Sequence, residues 1–180
     1  MHKYAYLSTL ILIGIVLVVV ANAQEVIKED IPGIRNFARV GTTVACGGTI
    51  EPAAVPELKK LGFVAVFNLR QASEAGEELA QEETAVKAAG LNYVHLPFNS
   101  RAPEPQVADR FLEEIVKPEN QPAYIHCGGG PRAAAMWFIK RIVIDSWETE
   151  KASAEALQLG LTHPRLKQFA LDYINEQQEK

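Results

Sequence analysis

Apolar positions along the chain follow two rhythms. Residues 63–69, Phe-Val-Ala-Val-Phe-Asn-Leu, are almost unbroken in their apolar character and rich in β-branched and aromatic side chains. That is the mark of a strand covered on both faces. Residues 92–98 and the shorter Ala-Tyr-Ile-His run at 123–126 read as further strands, and 42–46 as a short β-prone stretch. Between them lie segments of helical composition with their own start and stop signals. Residues 52–61 open at Glu51-Pro52 and close at Gly62, residues 77–89 close at Gly90, and residues 106–116 follow the loop Arg101-Ala102-Pro103-Glu104-Pro105. Past the last strand come three helices, at 132–146, 148–159 and 164–178; the first is mostly apolar and therefore central. Residues 24–33 form a polar, charged lead-in. Strand and helix in alternation predict an α/β fold, a single domain whose central, mostly parallel sheet is flanked by helices. Such sheets gather ligands at the carboxyl ends of their strands. Chemistry is therefore expected in the loops after Leu69, Phe98 and His126.

The first 23 residues stand apart. Lys3 is their only charged side chain, and Leu7 to Val20 is apolar except for Ser8, Thr9 and Gly14. Ala21-Asn22-Ala23 then supplies the small residues of a cleavage site. Basic start, apolar middle and A-x-A end read as a secretory signal at 1–23, cleaved after Ala23. This leaves a domain at 24–180 in the periplasm or secreted. The alternative is an uncleaved N-terminal membrane anchor, for which the apolar run falls short of the ~20 residues a bilayer span needs.

Charge narrows the partners. Eighteen Lys and Arg against 22 Asp and Glu give a net charge of −4. Loss of Lys3 would make it more negative still. A strongly basic nucleic-acid binder is excluded, and no polybasic patch favours a membrane once the signal is gone. The two cysteines, Cys46 and Cys127, are too few for a disulfide scaffold or a four-cysteine zinc site. His2, His95, His126 and His163 have no metal-like spacing. Neither a metal nor another cofactor is expected.

The densest chemistry is His126-Cys127-Gly128-Gly129-Gly130-Pro131-Arg132, between the last strand and the central helix. Three glycines let the backbone curl with its N–H groups inward, a nest for an anion. The helix that follows turns its positive end to the same place. Cys127 at the base of that nest would be favoured as thiolate. Arg132 adds a planar fork for two oxygens of a tetrahedral anion. Thiolate, amide nest and arginine fork together suit cysteine-based phosphoryl transfer through a phosphocysteine. Taken singly, each feature has a plainer reading: a buried cysteine, a glycine turn, a solvated arginine.

His-Cys, the glycine loop, Arg and then Met136-Trp137 resemble the bacterial dual-specificity and tyrosine phosphatase family. The resemblance extends to its compact branch, named for β-lactamase hydrolase-like proteins. Asn36-Phe37-Ala38-Arg39-Val40 is similar to that family's opening segment. Cys46-Gly47-Gly48 stands where the branch has a glycine loop, and Leu58-Lys59-Lys60-Leu61-Gly62-Phe63 with Val66-Phe67-Asn68-Leu69-Arg70 is similar to its helix-strand-arginine signature. The resemblance implies a parallel sheet flanked by helices and a metal-free mechanism. Cys127 would be the nucleophile, Arg132 the phosphate ligand and His126 an organiser of the loop. The substrate would be a phosphorylated protein or a small phosphate ester.

Departures from the family pattern bear on turnover. Four residues, not five, separate Cys127 from Arg132, as in rhodanese-type sulfurtransferase loops. Pro131 removes an amide donor, and Ala133 stands where a hydroxyl residue commonly steadies the leaving thiolate. A phosphate monoester also needs its departing oxygen protonated. The loop after Phe98 holds no Asp; Glu104 is the nearest acid, the candidate general acid or simply a helix-start charge, and Asp109 falls in the helix beyond. Arg70 and Arg101, both on ligand-side loops, are candidates to bind substrate with Gly128, Gly129 and Gly130. Three functions stay open: an exported phosphatase-like enzyme, a rhodanese-like sulfurtransferase, and a phosphate or phosphoprotein binding module of little or no turnover. Cys46 could form a protective disulfide with Cys127 if their Cα atoms come within ~7 Å.

Overall fold

A computed structural model describes residues 25–179, so the leader assigned to 1–23 lies outside the described residues. Six strands, β1 (Val26–Lys28), β2 (Ala38–Val40), β3 (Val44–Gly47), β4 (Ala65–Asn68), β5 (Asn92–His95) and β6 (Ala123–His126), form one sheet in the order β1-β2-β3-β6-β4-β5. β1, β2 and β3 pair antiparallel; β3, β6, β4 and β5 pair parallel. The helices are α1 (Val55–Lys60), α2 (Ala72–Ala75), α3 (Glu78–Ala88), α4 (Pro105–Ile115), α5 (Pro131–Val143), α6 (Thr149–Gln158) and α7 (Pro164–Gln178), and a 3₁₀ turn at Pro52–Ala54 leads into α1. No helix among the described residues is long and apolar enough to cross a membrane.

Period-two alternation sorts the core into two layers. On β6, Ala123 and Ile125 face the larger cluster, shared with α4, α5, α6 and α7; Tyr124 faces the smaller one with Val55 and Leu58 of α1 and Val86 of α3. β4 repeats the pattern, Ala65 and Phe67 on one side and Val66 on the other. Helix α5 is the hub. Eleven of its 13 residues are buried, so even its cations need partners: Lys140 pairs with Asp145, and Arg141 with Glu155 while stacking over the Trp137 and Trp147 rings.

The central parallel strands and the long helices fall within a few residues of the sequence reading. The polar lead-in proves to hold β1, and β2 appears inside the stretch that resembled the family's opening segment. Both strands are three residues long and neither carries enough alternation to announce itself. The four-residue α2 was likewise unannounced.

Candidate active site

β6 ends at His126, and the next residue is Cys127, 2% exposed. Its backbone N–H donates to the Gly47 carbonyl at 3.3 Å, which continues the β3–β6 ladder past the strand end. The chain then turns through Gly128 and Gly129 to Gly130, whose φ of +116° is open only to glycine at low cost. Gly130 caps α5 and Pro131 occupies its first turn, where a missing N–H costs nothing to the helix. The Gly130 N–H points inward and donates to the Cys127 Sγ at 3.2 Å. The carbonyls of Gly128 and Gly129 accept from Arg35 Nη1 at 3.5 Å and Asn36 Nδ2 at 2.9 Å. Gly48 makes room for this loop and Gly47 for the Tyr124 ring: a Cβ on Gly48 would lie 3.0 Å from the Gly128 carbonyl oxygen, and one on Gly47 2.5 Å from the Tyr124 hydroxyl.

Arg132, the second residue of α5, has only 7% of its surface exposed. Its Nη1 donates to the carbonyls of Leu69 (3.1 Å) and Phe98 (2.8 Å) and to Glu74 Oε1 (3.0 Å); Nη2 donates to Glu74 Oε2 at 2.5 Å. The two carbonyls meet because Phe98 N–H bonds to Leu69 O, extending the parallel pairing beyond β5. Three ligand-side loops thus converge on one guanidinium. Burial works against its charge, but Glu74 and the neighbouring Cys127 sulfur outweigh that and hold its pKa above the ordinary arginine value.

Behind the loop, His126 is fully buried and stacks on Tyr124, ring centroids 5.4 Å apart and 6° from parallel. Its Nε2 lies 2.8 Å from Glu82 Oε1, and the same oxygen accepts from Asn68 Nδ2 at 3.0 Å. Asn68 is the register partner of His126 across β4 and β6, so period two sends both toward α3. Asn68 also reaches the Tyr93 hydroxyl, whose pKa is pushed up by burial and by Glu82. His126 Nδ1, Glu82 Oε2 and Arg70 Nε are buried without a hydrogen-bond partner.

The structure brings Cys127, Gly128 to Gly130 and Arg132 together at one strand-to-helix junction, with His126 beneath. The other candidates are exposed or engaged with other partners. Arg70 is buried and committed to Glu78 and the Glu74 carbonyl. Arg101 is exposed and lines a cleft of about 450 Å³ with Gln71, Ser73, Glu74, Asn99 and Ser100. Glu104 is exposed at the start of α4 with no side-chain capping bond, and Asp109 accepts from the Tyr173 hydroxyl at 2.6 Å. His95 bonds to the Arg70 carbonyl. Cys46 and Cys127 are both free and buried; the Cys46 thiol is pushed far above its ordinary range, chiefly by burial. Sequence reasoning missed Glu74, Glu82 and Asn36. For Glu82 a signal existed: it takes the place of an apolar residue on the inward stripe Leu79, Glu82, Val86 of α3. Among the described residues, no group of three or more His, Cys, Asp or Glu could hold a metal ion.

The sequence model of the β-lactamase hydrolase-like protein, phosphatase-like domain, matches residues 36–143. No curated protein matches the chain. Solved structures share its fold at low identity. A DUF442 protein of Shewanella putrefaciens CN-32, a candidate phosphatase, is 18% identical with a TM-score of 0.67, covering 82% of this chain and 91% of its own. TpbA of P. aeruginosa is 19% identical with a TM-score of 0.64 over 87% and 91% of the two chains. The catalytic domain of SIW14 from S. cerevisiae, a PP-IP phosphatase, is 18% identical with a TM-score of 0.65 over 80% and 88%.

Proposed function

The chain belongs to the phosphatase-like domain family of β-lactamase hydrolase-like proteins, and from that premise we propose that it is an exported, cysteine-dependent hydrolase of phosphate monoesters. The observation that carries the reading is the Gly130 N–H aimed at the Cys127 sulfur beside the buried Arg132 guanidinium. TpbA has been solved with phosphotyrosine, and SIW14 acts as a PP-IP phosphatase. Both support a phosphate ester as the ligand here.

In the first step the Cys127 thiolate attacks phosphorus in line, the S–P bond forms and the bond to the leaving oxygen breaks. Loop N–H groups and Arg132 hold the phosphoryl oxygens as charge builds. Water then attacks the phosphocysteine, the P–S bond breaks, and inorganic phosphate and thiolate are released. Glu74 keeps the guanidinium aimed through two bonds. The loop after Phe98 carries no Asp, and Glu104, exposed at the start of α4, is the candidate general acid; with a single candidate acid, aryl phosphates should react faster than alkyl ones. Purified protein under reducing conditions should hydrolyse p-nitrophenyl phosphate, be inhibited by vanadate, and lose activity in Cys127→Ser. Absence of hydrolysis sinks the enzyme reading.

One observation favours a second reading, binding without turnover: Glu74 already engages both terminal nitrogens of Arg132. In that case phosphate raises the melting temperature while hydrolysis stays at background.

A further inference from the structure

A single peptide plane in the cysteine loop is held at both ends. The unit joining Gly129 to Gly130 offers its carbonyl oxygen to Asn36 Nδ2 at 2.9 Å and its N–H to Cys127 Sγ at 3.2 Å. In a trans peptide these two groups point in opposite directions. Fixing the carbonyl on the outer side therefore fixes the donor on the inner side. We infer that Asn36, outside the loop and far from it in sequence, is a positioning residue that aims the Gly130 N–H at the Cys127 sulfur.

The platform under Asn36 is built for rigidity. Ile34 and Phe37, on either side of the Arg35-Asn36 pair, are buried in the smaller core layer. Arg35 N–H donates to the Thr49 carbonyl, and Gly48 N–H donates back to the Arg35 carbonyl at 2.6 Å. The Gly48 carbonyl in turn accepts from the buried Tyr124 hydroxyl at 2.9 Å. Asn36 itself sits at φ +52°, a left-handed conformation that asparagine tolerates better than most residues. Residue type and backbone thus agree: the position needs an amide donor that can live in this region. Gly130, at φ +116°, has no β-carbon or side chain to resist rotation of the peptide, so the hold comes from outside.

This inference rests on Cys127 as the reactive sulfur, and its test does not require turnover. The titratable and charged groups beside that sulfur are Arg132 on α5, itself paired with Glu74, the Cys46 thiol on β3 and the Tyr124 phenol on β6. All are unchanged in Asn36→Gly; Asn36→Asp adds a carboxylate of its own, so the glycine variant decides the test. Glycine keeps the left-handed turn and deletes the donor; aspartate keeps the shape and sets an acceptor against the Gly129 carbonyl. Alkylation of Cys127 by iodoacetamide, read by mass on its own peptide across pH 5–10, is the measurement. Loss of an aimed donor should slow alkylation about tenfold at pH 7 in both variants. Melting temperature reports that the fold survives. If p-nitrophenyl phosphate is turned over, kcat should fall by a similar factor. A slowed profile in a protein without turnover overturns the enzyme reading and upholds the clamp. An Asn36→Gly profile that overlays the parent's overturns the clamp, whatever the turnover.

Discussion

Two carboxylates brace the candidate site, Glu74 holding Arg132 and Glu82 holding His126 beneath the loop. Glu74 and the Leu69 and Phe98 carbonyls give Arg132 four bonds through its terminal nitrogens. A lysine could not keep that fork, so Arg132→Lys should cost roughly a hundredfold in kcat/KM for p-nitrophenyl phosphate and weaken vanadate inhibition alike. Unchanged vanadate affinity would mean the guanidinium does not meet the oxyanion. Glu82 works on the other side of the sheet. Glu82→Ala strips a partner from His126 Nε2 and Asn68 Nδ2 in the buried interior, and should destabilise the fold by about 2–3 kcal/mol, read as a lower urea midpoint. At this scale the sequence was legible where residues are contiguous. Cys127 to Arg132 stand side by side in the chain, whereas Glu74, Glu82 and Asn36 reach the site only through the fold. No spacing rule links Asn36 to Gly129.

At the scale of the element, the strand-loop-helix unit of β6 and α5 carries the site, and Gly130 is its hinge point. Gly130→Ala places a side chain at φ +116° and should cost ~1–3 kcal/mol while turning the N–H away from sulfur. Melting temperature and vanadate affinity should fall together; a variant that keeps both would show the conformation to be dispensable. Elements buried on both faces were readable for a simple reason. β4 and β6 have no solvent side, so nearly every position had to be apolar, and α5 is a long run under the same pressure. β1 fails that test: its residues are exposed or half-buried, and its identity depends on pairing with β2 rather than on any pattern of its own. α2 exists to turn the chain from β4 toward α3 and sets Glu74 beside Arg132, a tertiary role with no local signature.

The molecule as a whole buries groups that release protons in alkaline solution. Cys46, Tyr93, Tyr124 and Tyr173 are all held above their ordinary values of 9.0 and 10.0, burial being the first cause in each. The unfolded chain gives up these protons first, so the folded state binds more of them at high pH. Their contribution to stability is complete below about pH 9 and is lost as pH rises beyond it. The urea midpoint should therefore fall steadily from pH 9 to 11, and Cys46→Ala should delay the onset. A flat midpoint over that range would contradict the burial of these side chains. The α/β rhythm was plain at this scale, because alternating strands and helices leave few other architectures. The antiparallel hairpin at one end of the sheet was not.

The sulfur of Cys127, all but sealed beneath its loop, also sets what shape of molecule can react with it. If the proposed reaction holds, a phosphorus atom would descend onto it end-on, with its non-departing oxygens turned toward the Gly130 N–H and the Arg132 guanidinium. A diester carries carbon on two of its oxygens: one bulky arm would press into the rim and one donor would go unmatched. On the proposed phosphatase reading, the depth of a single atom would then favour terminal phosphoryl groups over the internal linkages of nucleic acids and phospholipid backbones, and a diester such as bis(p-nitrophenyl) phosphate should be hydrolysed far more slowly than p-nitrophenyl phosphate.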